Sequence, residues 1–465
     1  MRYLMSMLML FTIGTSVQGA SPDFLREVAP ILVQRCLACH GEQKARGDYR
    51  IVSFAQLLQT GKSGETPIVA NKIDDSQLFQ RLIEENPQRR MPPDDEPLSS
   101  AEIALIKQWI VDGAKFDGDH KSPLKSIIPP RTHPASPLKY PSPIPVMSLA
   151  FHPDGKEIAV GGLNEVTIWD ADSGKLLRRL PHLPQRIQSL AFDRRGEQLL
   201  VGGGTPGEYG EALIVDAKTS EKIRVLGTFD DIVLSVTFSL DETLVAVGSA
   251  DRSVRVWNRA DGKEQWRAQL HSDWVTGVSF SPDGRFIISA SRDKTLKVLE
   301  VANGRLFTTY NGHRMQYGPQ RGMFEVYAVS FGTEGVTAYS AGEGKSIRAW
   351  NPVQAQEENG NAADMEERFL KVGHTKYFEH PATKPLFTLR VRGTSLFTGG
   401  GDGVVRQHDI ASGKVVRDFE GLKDWVYAVD ANVATKRVAG GGFSGDVCVW
   451  DVATGQVVRR FRASP

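Results

Sequence analysis

The residues with the most chemistry to offer stand close together. Cys36-Leu37-Ala38-Cys39-His40 sets two thiols three positions apart, with an imidazole directly after the second. This C-x-x-C-H order is the attachment sequence for c-type haem. Each thiol adds across one vinyl group of the porphyrin, and the two-residue gap keeps both sulfurs on one helical turn. His40 then lies beneath the iron as its proximal ligand. Three plainer uses compete. A structural zinc site needs four ligands, usually two such pairs, and the chain's 3 cysteines supply no second pair. A thioredoxin-like redox pair belongs at a strand-to-helix junction, which the surrounding pattern lacks. A plain disulfide suits an exported protein but leaves His40 without a role. One covalent haem c is therefore the expected cofactor, with Cys36, Cys39 and His40 as its attachment residues.

The second axial position is narrowed by counting. Met91 is the only methionine between residue 20 and Met147, and it stands in Arg90-Met91-Pro92-Pro93, where two prolines hold the backbone extended and stiff. A thioether on the iron raises the reduction potential and closes the site to small molecules. Filling a gap in a small core is the plainer role. A methionine followed by Pro-Pro in a loop is a poor core filler, so the expected metal ligands are His40 and Met91. His120 and His133 are the alternatives, and no catalytic residues are expected.

Helices must position these groups. Over residues 21–120, Phe24, Val28, Ile31 and Leu32 fall at helix spacing, with Pro30 as a kink. Leu78, Leu82 and Ile83 form a second apolar face between Asp74 or Asp75 and Pro87. Ser99 and Glu102 make a capping box for a third helix, whose Ile103, Ile106, Trp109 and Ile110 line one face before Gly113 ends it. Residues from Phe24 to Gly113 resemble the class I cytochrome c fold, and closely the planctomycete-type cytochrome c domain. The matching stretches are Pro30-Ile31-Leu32, Cys36 to Gly41, Gly61 to Gly64, Arg90 to Pro93, and Leu98 through Trp109-Ile110 to Gly113-Ala114. The resemblance implies thioether bonds at Cys36 and Cys39 and axial ligation by His40 and Met91.

The rest of the chain sets the context. With 465 residues, 40% hydrophobic and 24% charged, it is long enough for two or three domains with real cores. A net charge of +1 gives no electrostatic case for nucleic acid as a partner. Residues 1–20 join Arg2, an apolar run from Tyr3 to Ile13 and a small-residue exit at Gly19-Ala20, which reads as a secretory signal peptide too short to span a bilayer. The expected location is periplasmic or at the cell surface, with no membrane span. Between Lys121 and Pro145 there are eight prolines in 25 residues, so residues 121–143 are expected to be an extended Pro-rich linker without helix.

From residue 144 to 465 a unit recurs. Its Trp-type positions are Trp169, Val215, Trp257, Leu299, Trp350, His408 and Trp450, spaced 42 to 58 residues apart. Each unit reads as four strands joined by turns such as Asp154-Gly155 and Asp283-Gly284. Ile144 to Phe461 resembles the WD-repeat β-propellers, with seven blades. The resemblance implies a buried His, Ser or Thr, Asp and Trp set in each blade, which no blade here completes. His271, Ser289 and Asp293 occur with Leu299 in place of Trp, and Asp251 and Trp257 occur without the His. His313 and His374 read as structural, and Cys448 as a small buried hydrophobe. Asn311 to Glu325, with Arg314, Tyr317, Arg321 and Phe324, has the composition of an interface loop, and Asn351 to Glu367 reads as a mobile surface loop. The expected architecture is a small all-α cytochrome c domain followed by an all-β seven-bladed propeller. The expected function is one-electron transfer, with the propeller docking a redox partner or an assembly. The alternative is a protein-interaction scaffold whose haem domain is a sensor or structural element. A peroxidase-like enzyme needs an open iron position and is disfavoured by Met91.

Overall fold

The computed structural model describes residues 21–464 apart from 38, 42–44, 94–96, 128–130, 316–321, 345, 360–371 and 382–383. The expected signal segment, residues 1–20, lies outside the described residues. The chain divides into two compact units, Met1–Arg131 and Thr132–Pro465.

Asp23 opens the helical unit: its Oδ1 accepts the Arg26 N–H at 2.8 Å, at the head of a π-helical turn, Phe24–Val28. The turn runs into α1 (Ala29–Arg35), with Pro30 in the first turn, where its missing N–H breaks no hydrogen bond. Next come α2 (Phe54–Leu57), α3 (Gln77–Ile83) and α4 (Ser100–Val111). The expected capping box is formed: Ser99 Oγ accepts from the Glu102 N–H at 3.3 Å, and Glu102 Oε2 accepts from the Ser99 N–H at 2.7 Å. Losing such a cap costs about 1 kcal/mol. Ile106, Trp109 and Ile110 are fully buried, and Gly113, at φ 102°, takes the left-handed step that ends the helix. The Trp109 ring packs on Phe24 at 5.1 Å while its Nε1 donates to Lys115 O at 3.0 Å, so the indole is both packed and satisfied. In α3, Phe79 and Leu82 face inward. Ile83, expected on that face, is 47% exposed because the chain leaves the helix at Glu84.

The proline-rich segment is more ordered than a spacer. Leu124–Ile127 is a helical turn, with Leu124 fully buried and its N–H donated to Val52 O at 2.7 Å. From Thr132 the chain lies along the second unit. Prolines offer no N–H, so side chains and carbonyls do the fastening. Pro137 O accepts from Arg179 Nη2 at 2.6 Å, Ser136 Oγ donates to Asn164 O at 3.1 Å, and Tyr140 Oη donates to Glu165 Oε1 at 2.5 Å. His133 is buried here with Nε2 2.6 Å from Glu211 Oε2.

Antiparallel strands build the second unit, in one seven-stranded and five four-stranded sheets, besides a short ribbon of Arg314–Met315 and Gly322–Met323. The seven-stranded sheet is two repeats fused. Its 17-residue strand Leu176–Phe192 pairs through its first part with Leu163–Asp170 and through its last part with Gln198–Thr205. Counting that strand twice, the described residues form seven sets of four strands. The first strands of successive sets are Leu149–Phe151, the end of Leu176–Phe192, Val233–Phe238, Val275–Phe280, Val326–Phe331, Leu386–Arg392 and Val426–Asn432. Each neighbours the next, and the last neighbours the first. At that junction Phe151 N–H donates to Asp430 Oδ2 at 3.0 Å and Val146 N–H to Gly442 O at 3.1 Å.

All seven Trp-type residues are buried on third strands. The partial polar set in the fourth repeat is connected: His271 Nε2 lies 2.8 Å from Ser289 Oγ and Nδ1 2.8 Å from Asp293 Oδ2. Burial alone would raise the Asp293 carboxyl, but the hydrogen bond and charge of His271, with Thr295, outweigh it and hold the group well below the usual carboxylate range. Cys448 is fully buried, and burial pushes its thiol up to about 12. The segment expected to be a mobile loop begins instead with a helix, Pro352–Asn359. Asn351 Oδ1 caps it by accepting from Val353 N–H at 2.9 Å, and Ala355 is fully buried. Tyr317 and Arg321 lie outside the described residues.

Candidate cofactor site and candidate docking face

The end of α1 sets up the two cysteines. Cys36 N–H donates to Leu32 O at 3.0 Å, and the Cys39 and His40 N–H groups return to Cys36 O at 3.1 and 3.0 Å. These backbone bonds close a tight turn that carries Cys36, Cys39 and His40. The chain beyond pins its other side: Arg46 N–H donates to Cys39 O at 3.0 Å and Ile51 N–H to His40 O at 2.9 Å. Gly41 is buried, and a Cβ there would lie 2.6 Å from Leu37 O, so no larger residue fits after the histidine.

His40 Nδ1 lies 3.1 Å from Tyr49 O. A carbonyl oxygen can only accept, so Nδ1 carries the proton and Nε2 keeps the lone pair that a metal ligand needs. Tyr49 is itself fixed. Its Oη donates to Leu57 O at 2.8 Å, and Gly61 approaches so closely that a Cβ there would lie 3.0 Å from Tyr49 Cβ. Tyr49 escaped the sequence reading because its part is played by a backbone carbonyl, which any residue type carries.

Cys36 and Cys39 are free thiols, and both are partly buried. Burial pushes the Cys36 thiol up to about 12, the opposite of the lowered value that a redox-active thiolate pair requires. Among the described residues no three His, Cys, Asp or Glu side chains form a group that could hold a metal ion. A haem asks less of the protein, because the porphyrin occupies four iron positions and leaves only the axial ones. Two free thiols on one turn, followed by a histidine with Nε2 available, fit that group.

Met91 follows α3, is partly buried, and donates its N–H to Arg81 O at 2.8 Å. Among the described residues it is not one of those that form or pack on the helical unit's core cluster. Beside it, Arg90 Nε is buried without a hydrogen-bond partner among the described residues. His120 is engaged elsewhere in this unit: its Nε2 lies 2.8 Å from Phe116 O and its ring lies 4.6 Å from that of Phe54.

The second unit has a chemically distinct feature. The first strands enclose a cavity of about 360 Å³, lined in part by Tyr327, Phe387, Arg390 and Tyr427. Aromatic rings continue outward from it. Phe387 lies 5.1 Å from Tyr427, 5.9 Å from Tyr327 and 5.8 Å from Trp425, and Phe443 lies 6.2 Å from Trp425. Trp425 is 51% and Phe443 54% exposed, so this is a contiguous aromatic patch open to solvent. Burial lowers the Arg390 guanidinium from its ordinary value, and no carboxylate among the described residues forms an ion pair with it. No helix among the described residues is long and apolar enough to cross a membrane.

Comparison with known proteins agrees with this division. The family model for Planctomycete cytochrome C matches residues 36–95, and that for the WD domain, G-beta repeat, matches residues 139–170, 220–258 and 262–299. The chain therefore joins a cytochrome c-like domain to WD repeats. It is 29% identical to the nuclear distribution protein PAC1 of Coccidioides posadasii, over 36% of this chain and 38% of that protein. It is 28% identical to the WD repeat-containing protein SL1-17 of Schistosoma mansoni, over 35% of this chain and 52% of that protein. A second PAC1, from Arthroderma otae, is 26% identical over 65% of this chain and 68% of its own length. The chain thus spans about a third to a half of the first two relatives.

Proposed function

We propose that the chain is a protein-interaction scaffold, exported to the periplasm or cell surface, whose WD repeats close a seven-bladed propeller. In this reading the propeller docks a partner protein through its aromatic face, and the N-terminal domain holds one covalent haem c as a sensor or structural element, without turnover of a substrate. The observation that carries the proposal is the aromatic cluster beside the cavity, in which exposed Trp425 and Phe443 adjoin half-buried Phe387 and Tyr427. Exposed aromatic patches of this kind mark interfaces, and Trp and Tyr dominate their binding energy. The cycle of first strands supports the closed ring, and the WD-repeat relatives support an interaction role. Trp425→Ala combined with Phe443→Ala should weaken capture of the partner retained by the wild-type chain by about tenfold or more. Leu240→Ala, an exposed residue outside the aromatic patch, is the control and should not.

When bound, the haem would supply a one-electron couple. Cys36 and Cys39 would hold it, while Tyr49 O keeps His40 in the tautomer that presents Nε2. A second reading, electron transfer, is favoured by Met91, which among the described residues stands outside the helical unit's core cluster. If Met91 is the second axial ligand, Met91→Ala should lower the reduction potential and permit carbon monoxide binding, both read spectroscopically. Met91→Leu nearly conserves volume. An unchanged Met91→Leu spectrum would remove the assignment.

A further inference from the structure

The repeats serve as controls for one another. In the third, Asp251 Oδ2 meets Arg255 Nη2, four residues on, at 2.7 Å; in the sixth, Asp402 meets Arg406 at 2.5 Å. In the fourth, Asp293 faces His271 Nδ1 at 2.8 Å. The fifth repeat has both kinds of partner but no acid at the position where the others carry Asp. His313 repeats His271, with Nε2 2.8 Å from Ser340 Oγ. Arg348 repeats Arg255: its Nε donates to Ser346 Oγ at 3.2 Å, as Arg255 Nε does to Ser253 Oγ at 3.0 Å. Four residues before Arg348, where the others have Asp, stands Gly344.

The consequence is a set of buried groups left without an acceptor. Arg348 is 3% exposed; among the described residues it meets, besides Ser346, only the neutral groups of Tyr310 and Tyr377, the Tyr377 ring lying 5.1 Å from its Cζ and Tyr377 Oη 3.5 Å from Nη1, and no carboxylate pairs with it. Among the described residues, His313 Nδ1 and Trp350 Nε1 are buried with no hydrogen-bond partner. The rings lie together, with Tyr310 stacked on Trp350 at 4.3 Å and 6.5 Å from His313. Burial and the Arg348 charge both hold His313 uncharged, so the charge here is that of Arg348, and Ser340 Oγ, which can donate or accept, leaves the His313 Nδ1 free to carry the proton toward an anion. A desolvated guanidinium without an anion is strongly unfavourable.

We propose that the fifth repeat is a binding site for a small free anion, a carboxylate or halide, held by Arg348 and His313 in the place that an Asp side chain takes in the neighbouring repeats. Arg348 and Gly344 are both buried, and the Phe324 ring lies 3.2 Å from where a Gly344 Cβ would be. That enclosure suits a free ion and not the acidic side chain of a docking protein.

The test is thermal melting of the full chain at constant ionic strength, with sodium acetate or sodium chloride replacing a bulky disulfonate buffer. The wild-type midpoint should rise saturably, by about 2–4 °C. Arg348→Met should ignore both anions. Gly344→Asp should raise the midpoint without added anion and abolish the dependence, because the chain then carries its own carboxylate; the Phe324 ring must give only by a few tenths of an ångström. A wild-type midpoint that ignores both anions would overturn the proposal, as would the same dependence in Gly344→Asp. Should Arg348→Met not fold, Gly344→Asp decides alone. A shift produced by an acidic peptide and not by acetate would replace the free ion with a partner's side chain.

Discussion

Combining Cys36→Ala with Cys39→Ala should abolish covalent haem in the full-length protein. Matured alongside a c-type cytochrome assembly system, the wild type should keep haem colour on a denaturing gel, and its mass should exceed the bare chain by one haem. The double variant should weigh as the bare chain. The geometry behind this is specific. Both cysteines are free thiols on one turn after α1, with the Cys39 N–H returned to Cys36 O at 3.1 Å. Cys36 is held protonated, which suits a thiol kept for addition and not for disulfide exchange. His40→Ala should separate the two kinds of bond, keeping the haem attached through both sulfurs while changing its spectrum. A wild-type mass equal to the bare chain would end the haem assignment.

The second large effect concerns the propeller's polar core. Asp251→Ala should destabilise the β-rich unit by about 3–5 kcal/mol, read as a shift of its denaturation midpoint. Asp251 and Arg255 are 6% and 3% exposed at 2.7 Å, so removing the carboxylate strands a buried guanidinium. Arg255 keeps Thr228 O at 3.0 Å and Ser253 Oγ at 3.0 Å, neither of which carries charge. Adding Arg255→Met to Asp251→Ala should recover most of the loss, because it removes the unpaired charge instead of leaving it buried. Asp261→Ala, in an exposed turn, should stay within about 0.5 kcal/mol of wild type. A single Asp251→Ala variant as stable as wild type would show that the pair contributes nothing net.

The features legible in the sequence were those carried by neighbouring residues. Cys36 to His40 is a local motif, and its turn forms from backbone bonds inside it. Ser99 and Glu102 cap α4 through atoms three residues apart. The Trp-type positions recur because each repeat buries one large side chain on its third strand. What could not be read depends on long-range closure. Phe387 and Phe443 belong to different sheets and share a patch only because successive first strands lie side by side. The order of residues 132–145 comes from Glu165, Asn164, Arg179 and Glu211, all distant in sequence. Proline density pointed to an extended spacer without helix, and it gave no sign of the helical turn at Leu124–Ile127 or of the distant residues that fasten the chain. Cap chemistry could have found the helix after Asn351, since Asn followed by Pro352 is a start signal that its acidic, polar composition obscured.

The scaffold reading and the electron-transfer reading part company on whether docking needs haem. The decisive measurement is the Kd of the captured partner for the full-length wild type, for the Cys36→Ala, Cys39→Ala variant, and for the Trp425→Ala, Phe443→Ala variant. The scaffold account predicts an unchanged Kd for the haem-free protein and a Kd weakened about tenfold or more for the aromatic variant. A partner lost with the haem and retained without the aromatic patch would contradict it.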